Sequence, residues 1–230
     1  MKRFYEDISV LKQDKMYVVM LDGKTIKTPQ KNLCLLSTRV MADAVAKEWE
    51  DQDKNIDPAS MPMTKMINTA IDRVGVRRNE IITELVNFSC SDQICYRADN
   101  PQELVDLQNK IWNPLLMRLK KVHNIELKFT VGIVFQEQDP KQLMKIKKLI
   151  EGIENFALMA FYGMVTVCGS ITIGLNLFEG YISTDEAWKA GHLDENFQVS
   201  KWGNDQDADD RRANLKDELE NSVRFHSLCK

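Results

Sequence analysis

Histidine is scarce in this 230-residue chain, and the residue patterns of common metal and nucleotide sites are missing. The three histidines, His123, His192 and His226, stand far apart in the sequence. The five cysteines do not form the two closely spaced pairs that a structural zinc site requires, and no G-x-G-x-x-G dinucleotide motif occurs. The sequence therefore predicts no metal site and contains no recognisable set of catalytic residues.

A strong net charge and a secretory signal are also lacking. Lysine and arginine number 31 against 34 aspartate and glutamate residues, which gives a net charge of −3, so a nucleic-acid partner is not expected. An odd number of scattered cysteines fits a reducing compartment. The start, MKRFYEDISV, contains no apolar signal region. We therefore expect a cytoplasmic bacterial protein, or a protein of the mitochondrial matrix if a leader has been removed.

The first part of the chain is predicted to form a small antiparallel sheet. An apolar run over residues 16–21 is followed by Asp22-Gly23 and then by residues 24–27. An Asp-Gly pair between two such runs is a strong hairpin signal. From residue 37 onward the apolar residues recur with helical spacing. We predict an α+β fold, with a β-rich domain over residues 1–58 and a mostly helical domain over residues 59–230.

The longest uncharged stretch covers residues 156–178 and reads FALMAFYGMVTVCGSITIGLNLF. As a helix it is apolar on every face, so it must be buried in a protein core or in a membrane, and its length is enough to cross a bilayer. No basic cluster stands directly at either end to orient a membrane span. We predict one buried central helix without stable membrane insertion; a membrane-anchored factor is the alternative.

An acidic segment that is rich in aromatic residues, residues 183–210, looks least like scaffold. It carries eight acidic residues and two lysines, a net charge of 2 − 8 = −6, together with Trp188, Phe197 and Trp202. Aromatic side chains inside a charged rim are common in protein-binding surfaces. On composition alone, a solvated acidic loop whose tryptophans lie in the core is the simpler interpretation.

Short motifs follow one another through nearly the whole chain in an order typical of one family. In sequence they are Asp22-Gly23, Lys27-Thr28-Pro29, Glu48-Trp49, Gln52, Met61-Pro62-Met63-Thr64, Asn68-Thr69-Ala70-Ile71-Asp72, Cys95-Tyr96-Arg97-Ala98, Gln108, Trp112-Asn113-Pro114-Leu115, Gly169-Ser170, Ala187-Trp188, Asp194-Glu195, Gln198, Trp202-Gly203 and Asp205. The series resembles the assembly chaperones of the F-type ATP synthase catalytic head. The family usually has Asp where Asn113 stands and Leu where Met63 stands.

The resemblance implies a β-rich N-terminal domain and a helical C-terminal domain, with no catalysis and no cofactor. It further implies binding to the nucleotide-binding domain of an unassembled ATP synthase alpha subunit, on the surface that later meets beta. By the same resemblance, the protein-binding residues are Trp188, Asp194, Glu195, Trp202, Gly203 and Asp205. We expect the chain to act as a monomer. The alternative is an enzyme of unknown class with a pocket near Trp112, Cys95 and Tyr96.

Overall fold

The computed structural model describes residues 1–203 and 206–230. The chain forms two compact units, each assembled from separate parts of the sequence. The first contains Met1–Arg78, Glu154–Ala160 and Asn221–Lys230, and the second contains Asn79–Ile153 and Phe161–Glu220. A small sheet near the N-terminus followed by a mostly helical chain confirms the predicted α+β class. The predicted domain boundary after residue 58 stays a prediction.

The first unit contains an antiparallel sheet of three strands. These are β1 (Ile8–Gln13), β2 (Met16–Leu21) and β3 (Lys24–Thr25), with β2 in the middle. The predicted hairpin at Asp22-Gly23 is confirmed: both residues have positive φ, 47° and 75°. A two-residue hairpin loop of type I′ requires positive φ at both positions, which explains the Asp-Gly pair.

Two helical segments complete most of the first unit. Helix α1 (Arg39–Glu50) is capped by the side chain of Thr38 and packs on β1 and β2. Helix α2 (Pro62–Thr69) begins with proline, whose missing N–H is harmless in a first turn, and continues into a π-helical turn, Ala70–Val74. The sheet and these helices enclose the apolar side chains of this unit.

The second unit is mainly helical. A short parallel pair of strands, β4 (Tyr96–Arg97) and β5 (Thr130–Val131), is its only sheet in the described part of the chain. Its helices are α3 (Arg78–Cys90), α4 (Gln102–His123), α5 (Pro140–Glu151), α6 (Asn155–Cys168), α7 (Ile171–Phe178), α8 (Thr184–Gly191), α9 (Leu193–Trp202) and α10 (Gln206–Leu228), of which α3, α6 and α10 also contribute residues to the first unit. Helix α7 packs against α4 and α8.

The uncharged stretch over residues 156–178 forms two helices, so the prediction of one central helix is wrong. Helix α6 ends at Cys168 and α7 begins at Ile171. Between them Gly169 has φ +63°, in the region that favours glycine, and the Ser170 hydroxyl accepts a hydrogen bond from the N–H of Ile173. A left-handed glycine followed by a new N-cap ends one helix and starts the next. In residues 1–203 and 206–230, no helix has the length and apolarity needed to span a bilayer.

A completely buried carboxylate, Asp92, holds the start of α7. One oxygen accepts hydrogen bonds from the N–H of Thr172 at 3.0 Å and from its hydroxyl at 2.8 Å, and the other accepts from the N–H of Ile94 at 3.3 Å. Burial raises the pKa of Asp92, although the hydrogen bonds from Ser170, Thr172 and Ile94 act in the opposite direction. Asp92 therefore links the segment after α3 to the N-terminus of α7.

Candidate functional site

A polar cleft of about 310 Å³ in the second unit brings together two of the predicted binding residues. Asp194 and Glu195, in the first turn of α9, line it together with Trp112, His192 and other residues. We call this the Asp194 cleft. Cys95 and Tyr96, which the enzyme alternative combined with Trp112, are not among the described residues that line it.

One wall of the Asp194 cleft consists of two backbone segments, at Cys168 and Gly191, that hydrogen bonds hold together. The side-chain amide of Gln93 donates to the carbonyl of Cys168 at 2.9 Å and to the carbonyl of Gly191 at 2.7 Å. A Cβ atom at position 191 would lie 2.9 Å from both Cα and O of Cys168. Only glycine lets the ends of α6 and α8 approach this closely.

Helix α4 fixes the position of Asp194 through Gln108 and contacts the end of α8 through Trp112. Trp112 is buried, and its indole N–H donates to the carbonyl of Ala190 at 2.8 Å. Gln108, also buried, donates to Oδ1 of Asp194 at 2.8 Å, while its own oxygen accepts from the N–H of Ala98 at 2.8 Å. The second carboxylate oxygen of Asp194 has no hydrogen bond to a described residue in this structure and faces solvent on an exposed side chain.

Basic residues of α10 neutralise part of the predicted acidic surface. Glu195 forms ion pairs with Arg211 at 3.2 Å and with Arg212 at 2.9 Å. The guanidinium of Arg212 also lies 5.7 Å from the ring of Trp188, which stacks on His192 with centroids 3.8 Å apart. Trp188 is therefore half-buried and engaged inside the unit, and Glu195 is half-buried rather than freely exposed.

Trp202 is the most exposed of the predicted aromatic residues. It ends α9 with 79% of its surface exposed, and Gly203 follows with φ +83°. At about 1.5 Å of rise per residue, Trp202 lies roughly 12 Å along the helix axis from Asp194. The helix thus separates these two predicted binding residues along its length. Asp205 lies outside the described residues.

Cys95, which would be the candidate nucleophile if the protein were an enzyme, is fully buried. Burial raises the pKa of its thiol, and the negative charge of Asp92 raises it further. A buried thiol that stays protonated is a poor nucleophile. Tyr96 is half-buried in β4. In the part of the chain that the structure describes, no group of three or more His, Cys, Asp or Glu residues is arranged to hold a metal ion.

The sequence interpretation missed an exposed apolar surface on the second unit. In the 129–135 segment, Ile133, Val134 and Phe135 are 95%, 74% and 65% exposed. Phe129 of the same segment lies beside Met117 of α4 at an apolar depression of about 340 Å³. The available signal was the uncharged run between Lys128 and residue 137, but its alternating apolar residues read as an ordinary strand. Grouped exposed apolar side chains often mark a protein-interaction surface.

A buried cation that has no carboxylate partner among the described residues lies beneath this surface. Arg97 is 6% exposed and donates to the carbonyl of Gln108 and to Oδ1 of Asn113, both at 3.1 Å. Its guanidinium lies 5.0 Å from the ring centroid of Trp112 and 5.4 Å from that of Phe129. Burial lowers the pKa of Arg97, partly offset by nearby negative charge. A buried cation that donates hydrogen bonds only to neutral acceptors has its charge incompletely compensated.

The variant Asn113→Asp is expected to stabilise the protein by about 0.5–1.5 kcal/mol. A carboxylate would turn the 3.1 Å contact with Arg97 into a charge-assisted hydrogen bond. Chemical denaturation with urea measures the change. Asn109→Asp adds the same charge one turn earlier on α4 and has no described contact with Arg97, so it serves as the matched control. Equal effects of the two variants would contradict the prediction.

Comparison with known proteins gives one consistent result. The family model described as ATP12 chaperone protein matches residues 2–120. The protein atp12, mitochondrial, of Schizosaccharomyces pombe is 23% identical over 235 residues, which cover 96% of this chain and 81% of that protein. The crystal structure of Atp12 from Paracoccus denitrificans is 31% identical with a TM-score of 0.96, covering 100% of this chain and 98% of that one.

A second solved structure agrees with the first. The Atu1473 protein of Agrobacterium tumefaciens is 30% identical with a TM-score of 0.94, covering 100% of this chain and 86% of that chain. The family match covers more than half of this sequence, and the structural matches extend over all of it. The chain therefore belongs to the ATP12 chaperone family, the assembly chaperones of the F-type ATP synthase that its motifs resemble.

Proposed function

We propose that this chain binds the unassembled alpha subunit of the F-type ATP synthase and shields the surface of alpha that later meets beta. The 129–135 segment is the observation that carries the proposal, because Ile133, Val134 and Phe135 remain in water unless a partner covers them. Interfaces of permanent complexes are large and apolar, and a lone subunit that exposes such a surface tends to aggregate. An apolar surface on the chaperone complements it.

The proposed binding residues differ in how available they are. Trp202 offers an exposed indole at the end of α9, and Asp194 offers one carboxylate oxygen at its start. Glu195 is held by Arg211 and Arg212, so it orients α10 in the free chain and becomes available only if these pairs open. Trp188 supports this arrangement from inside. Gly203 and Asp205 belong to the proposed surface by resemblance.

The proposed activity is binding without catalysis and without a cofactor. Membership of a chaperone family supports it, as does the burial of Cys95, which keeps its thiol protonated. Release follows when beta competes for the same face of alpha. We propose that the chain acts where the catalytic head is assembled, which is the bacterial cytoplasm or the mitochondrial matrix. The name of the Schizosaccharomyces relative, which describes it as mitochondrial, supports the second location.

Co-expression with alpha alone, followed by size-exclusion chromatography at low salt, tests the proposal. The wild-type chain is expected to elute with alpha as one soluble complex. Ile133→Asp is expected to weaken the complex at least tenfold, about 1.4 kcal/mol or more. Because Ile133 is 95% exposed, the variant should fold normally. Val76→Asp, at an apolar residue of the first unit that is 80% exposed, is the matched control.

Two separate peaks for the wild-type chain and alpha would overturn the proposed function. A complex that survives Ile133→Asp would remove the 129–135 segment from the interface. Glu195→Lys tests the Asp194 cleft in the same way, with the exposed Asp43→Lys of α1 as the control for charge reversal. Binding by Glu195→Lys as strong as that of the wild type would exclude Glu195 from the site.

A further inference from the structure

The first unit contains a groove that the proposed function does not use. It encloses about 570 Å³, a size in the rough range of 300–1,000 Å³ typical of ligand sites. Its lining is mainly apolar and includes Pro29, Trp49, Ile56, Met61, Lys65 and Arg73. We call it the Trp49 groove. Many residues of the family motifs in the first unit line this groove or form hydrogen bonds that support its walls.

A buried carboxylate of α1 fixes the helical wall of the Trp49 groove. Glu48 accepts hydrogen bonds at 2.7 Å from the N–H of Met63, the N–H of Thr64 and the hydroxyl of Thr64. Gln52 holds the preceding loop by donating to Ser60 and accepting from the N–H of Asp57. These contacts hold α2 and the loop before it in place without any ligand.

A second carboxylate, Asp72, joins the segment over residues 28–32 to the helical wall of the groove. Oδ1 of Asp72 accepts hydrogen bonds from the Thr28 hydroxyl at 2.7 Å and from Asn32 at 2.8 Å, and Oδ2 accepts from the N–H of Gln30 at 3.2 Å. Burial opposes ionisation, but these hydrogen bonds outweigh it and lower the pKa of Asp72. These parts of the groove are therefore preformed, which reduces the ordering that a ligand would have to impose.

The rim of the groove is positively charged in an otherwise acidic protein. Lys65 and Arg73 are exposed, and neither forms an ion pair with any described residue. Asp72, the acidic residue of the lining, has both oxygens engaged by Thr28, Asn32 and Gln30. The groove thus presents cations above an apolar floor, in a chain with a net charge of −3.

Trp49 adds an unmet hydrogen-bonding group to this floor. Its ring packs edge-on against Tyr5 with centroids 5.5 Å apart, and its buried indole N–H has no acceptor among the described residues. Buried donors without acceptors are rare and unfavourable. A carbonyl or carboxylate oxygen that reached this indole N–H would satisfy it.

We propose that the Trp49 groove docks an extended segment of a partner polypeptide that carries a large apolar side chain beside a carboxylate. The apolar side chain covers Met61 and Ile56, and the carboxylate faces Lys65 and Arg73. Charge complementarity favours this occupant, because a zwitterionic lipid surface offers no concentrated negative charge beside an apolar group. In a second copy, the exposed Trp202 lies roughly 12 Å along its helix from Asp194, and Glu195 is already paired with Arg211 and Arg212. The proposal does not depend on which subunit the chaperone binds through its second unit.

A random 12-residue peptide library displayed on phage, selected against the full chain, tests the proposal. Selected peptides are expected to combine aspartate or glutamate with aromatic or aliphatic residues, and synthetic copies should bind in solution. The double variant Lys65→Glu with Arg73→Glu should weaken binding at least tenfold. Exchanging the peptide's acidic residue for lysine should restore binding to this variant only. Lys15→Glu, at an exposed lysine outside the groove, should change binding less than twofold.

Several results would overturn the proposal. Peptides without acidic enrichment, or equal binding to the double variant and the wild type, would do so. Tighter binding of dodecanoate than of any peptide would identify a free anionic amphiphile as the occupant instead. Peptides that fail to bind Ile133→Asp but still bind the double variant would bind at the 129–135 segment and not in the Trp49 groove. Failure of alpha to co-elute would count against the proposed function alone, since this library does not contain alpha.

Discussion

Replacing Glu48 by alanine is expected to lower the free energy of unfolding by about 3–5 kcal/mol. Helix α2 has Met61 at its N-cap, which offers no side-chain hydrogen bond. Glu48 of α1 caps it instead, and its carboxylate lies at the positive end of the α2 dipole. Alanine would leave the N–H groups of Met63 and Thr64 buried without an acceptor.

Urea unfolding followed by circular dichroism measures this effect. Glu50→Ala is the matched control, because Glu50 lies in the same helix but is exposed, and its one ion pair with a described residue is with Lys47. Removal of such an exposed pair is expected to change stability by about 0.5 kcal/mol or less. If Glu48→Ala lowered the free energy of unfolding as little as the control does, water would be replacing the carboxylate as the acceptor, and the prediction would be wrong.

Replacing Asp92 by alanine is expected to destabilise the protein by about 3–5 kcal/mol near pH 4, and by less at neutral pH. The variant removes the acceptor of three donor groups on Thr172 and Ile94. Because burial raises the pKa of Asp92, its charged form is less well accommodated than its neutral form. The benefit of the wild-type residue should therefore shrink as the pH rises.

The sign of this pH dependence follows from proton binding. An aspartate in the unfolded chain has a pKa of about 3.9, and the folded-state pKa of Asp92 lies above its ordinary value. Between the two values the folded chain binds more protons than the unfolded chain, so the stability from Asp92 is full below the lower value and is lost as pH rises through the higher.

Urea unfolding of the wild type and Asp92→Ala at several pH values gives the difference directly. Asp99→Ala, at an exposed residue of the same region, controls for the loss of one negative charge. A stability difference that grows with pH would contradict the raised pKa of Asp92. A difference of the same size at every pH would assign Asp92 a role in hydrogen bonding without an accompanying change in ionisation.

Local patterns in the sequence predicted those parts of the fold that depend on a few neighbouring residues. The Asp22-Gly23 turn was predictable because few residue pairs accept positive φ at both positions. The start of α8 carries a similarly local signal, because Ser183 and Glu186 form a capping box within four residues. The break at Gly169-Ser170 carried comparable local signals, but the uniform apolarity around them predicted a single helix.

The candidate site could be predicted only in part, because charge pairing depends on distant residues. The family motif pointed to Asp194 and Glu195, but nothing in the sequence indicated that Arg211 and Arg212 of another helix neutralise Glu195. The 129–135 segment was missed because alternation indicates a strand and does not say whether a second layer covers it. The Trp49 groove was missed because its lining comes from residues far apart in sequence.

The sequence by itself determined the α+β class, the hairpin and membership of the ATP12 family, since turns and short motifs involve residues that are close along the chain. Tertiary structure alone decided which carboxylates are buried, which are paired and which apolar side chains face water. Glu48, Asp92 and Asp194 all carry a carboxyl group, and the sequence does not distinguish their surroundings. Their different roles arise because folding surrounds the first two with hydrogen-bond donors and leaves the third at the edge of a cleft.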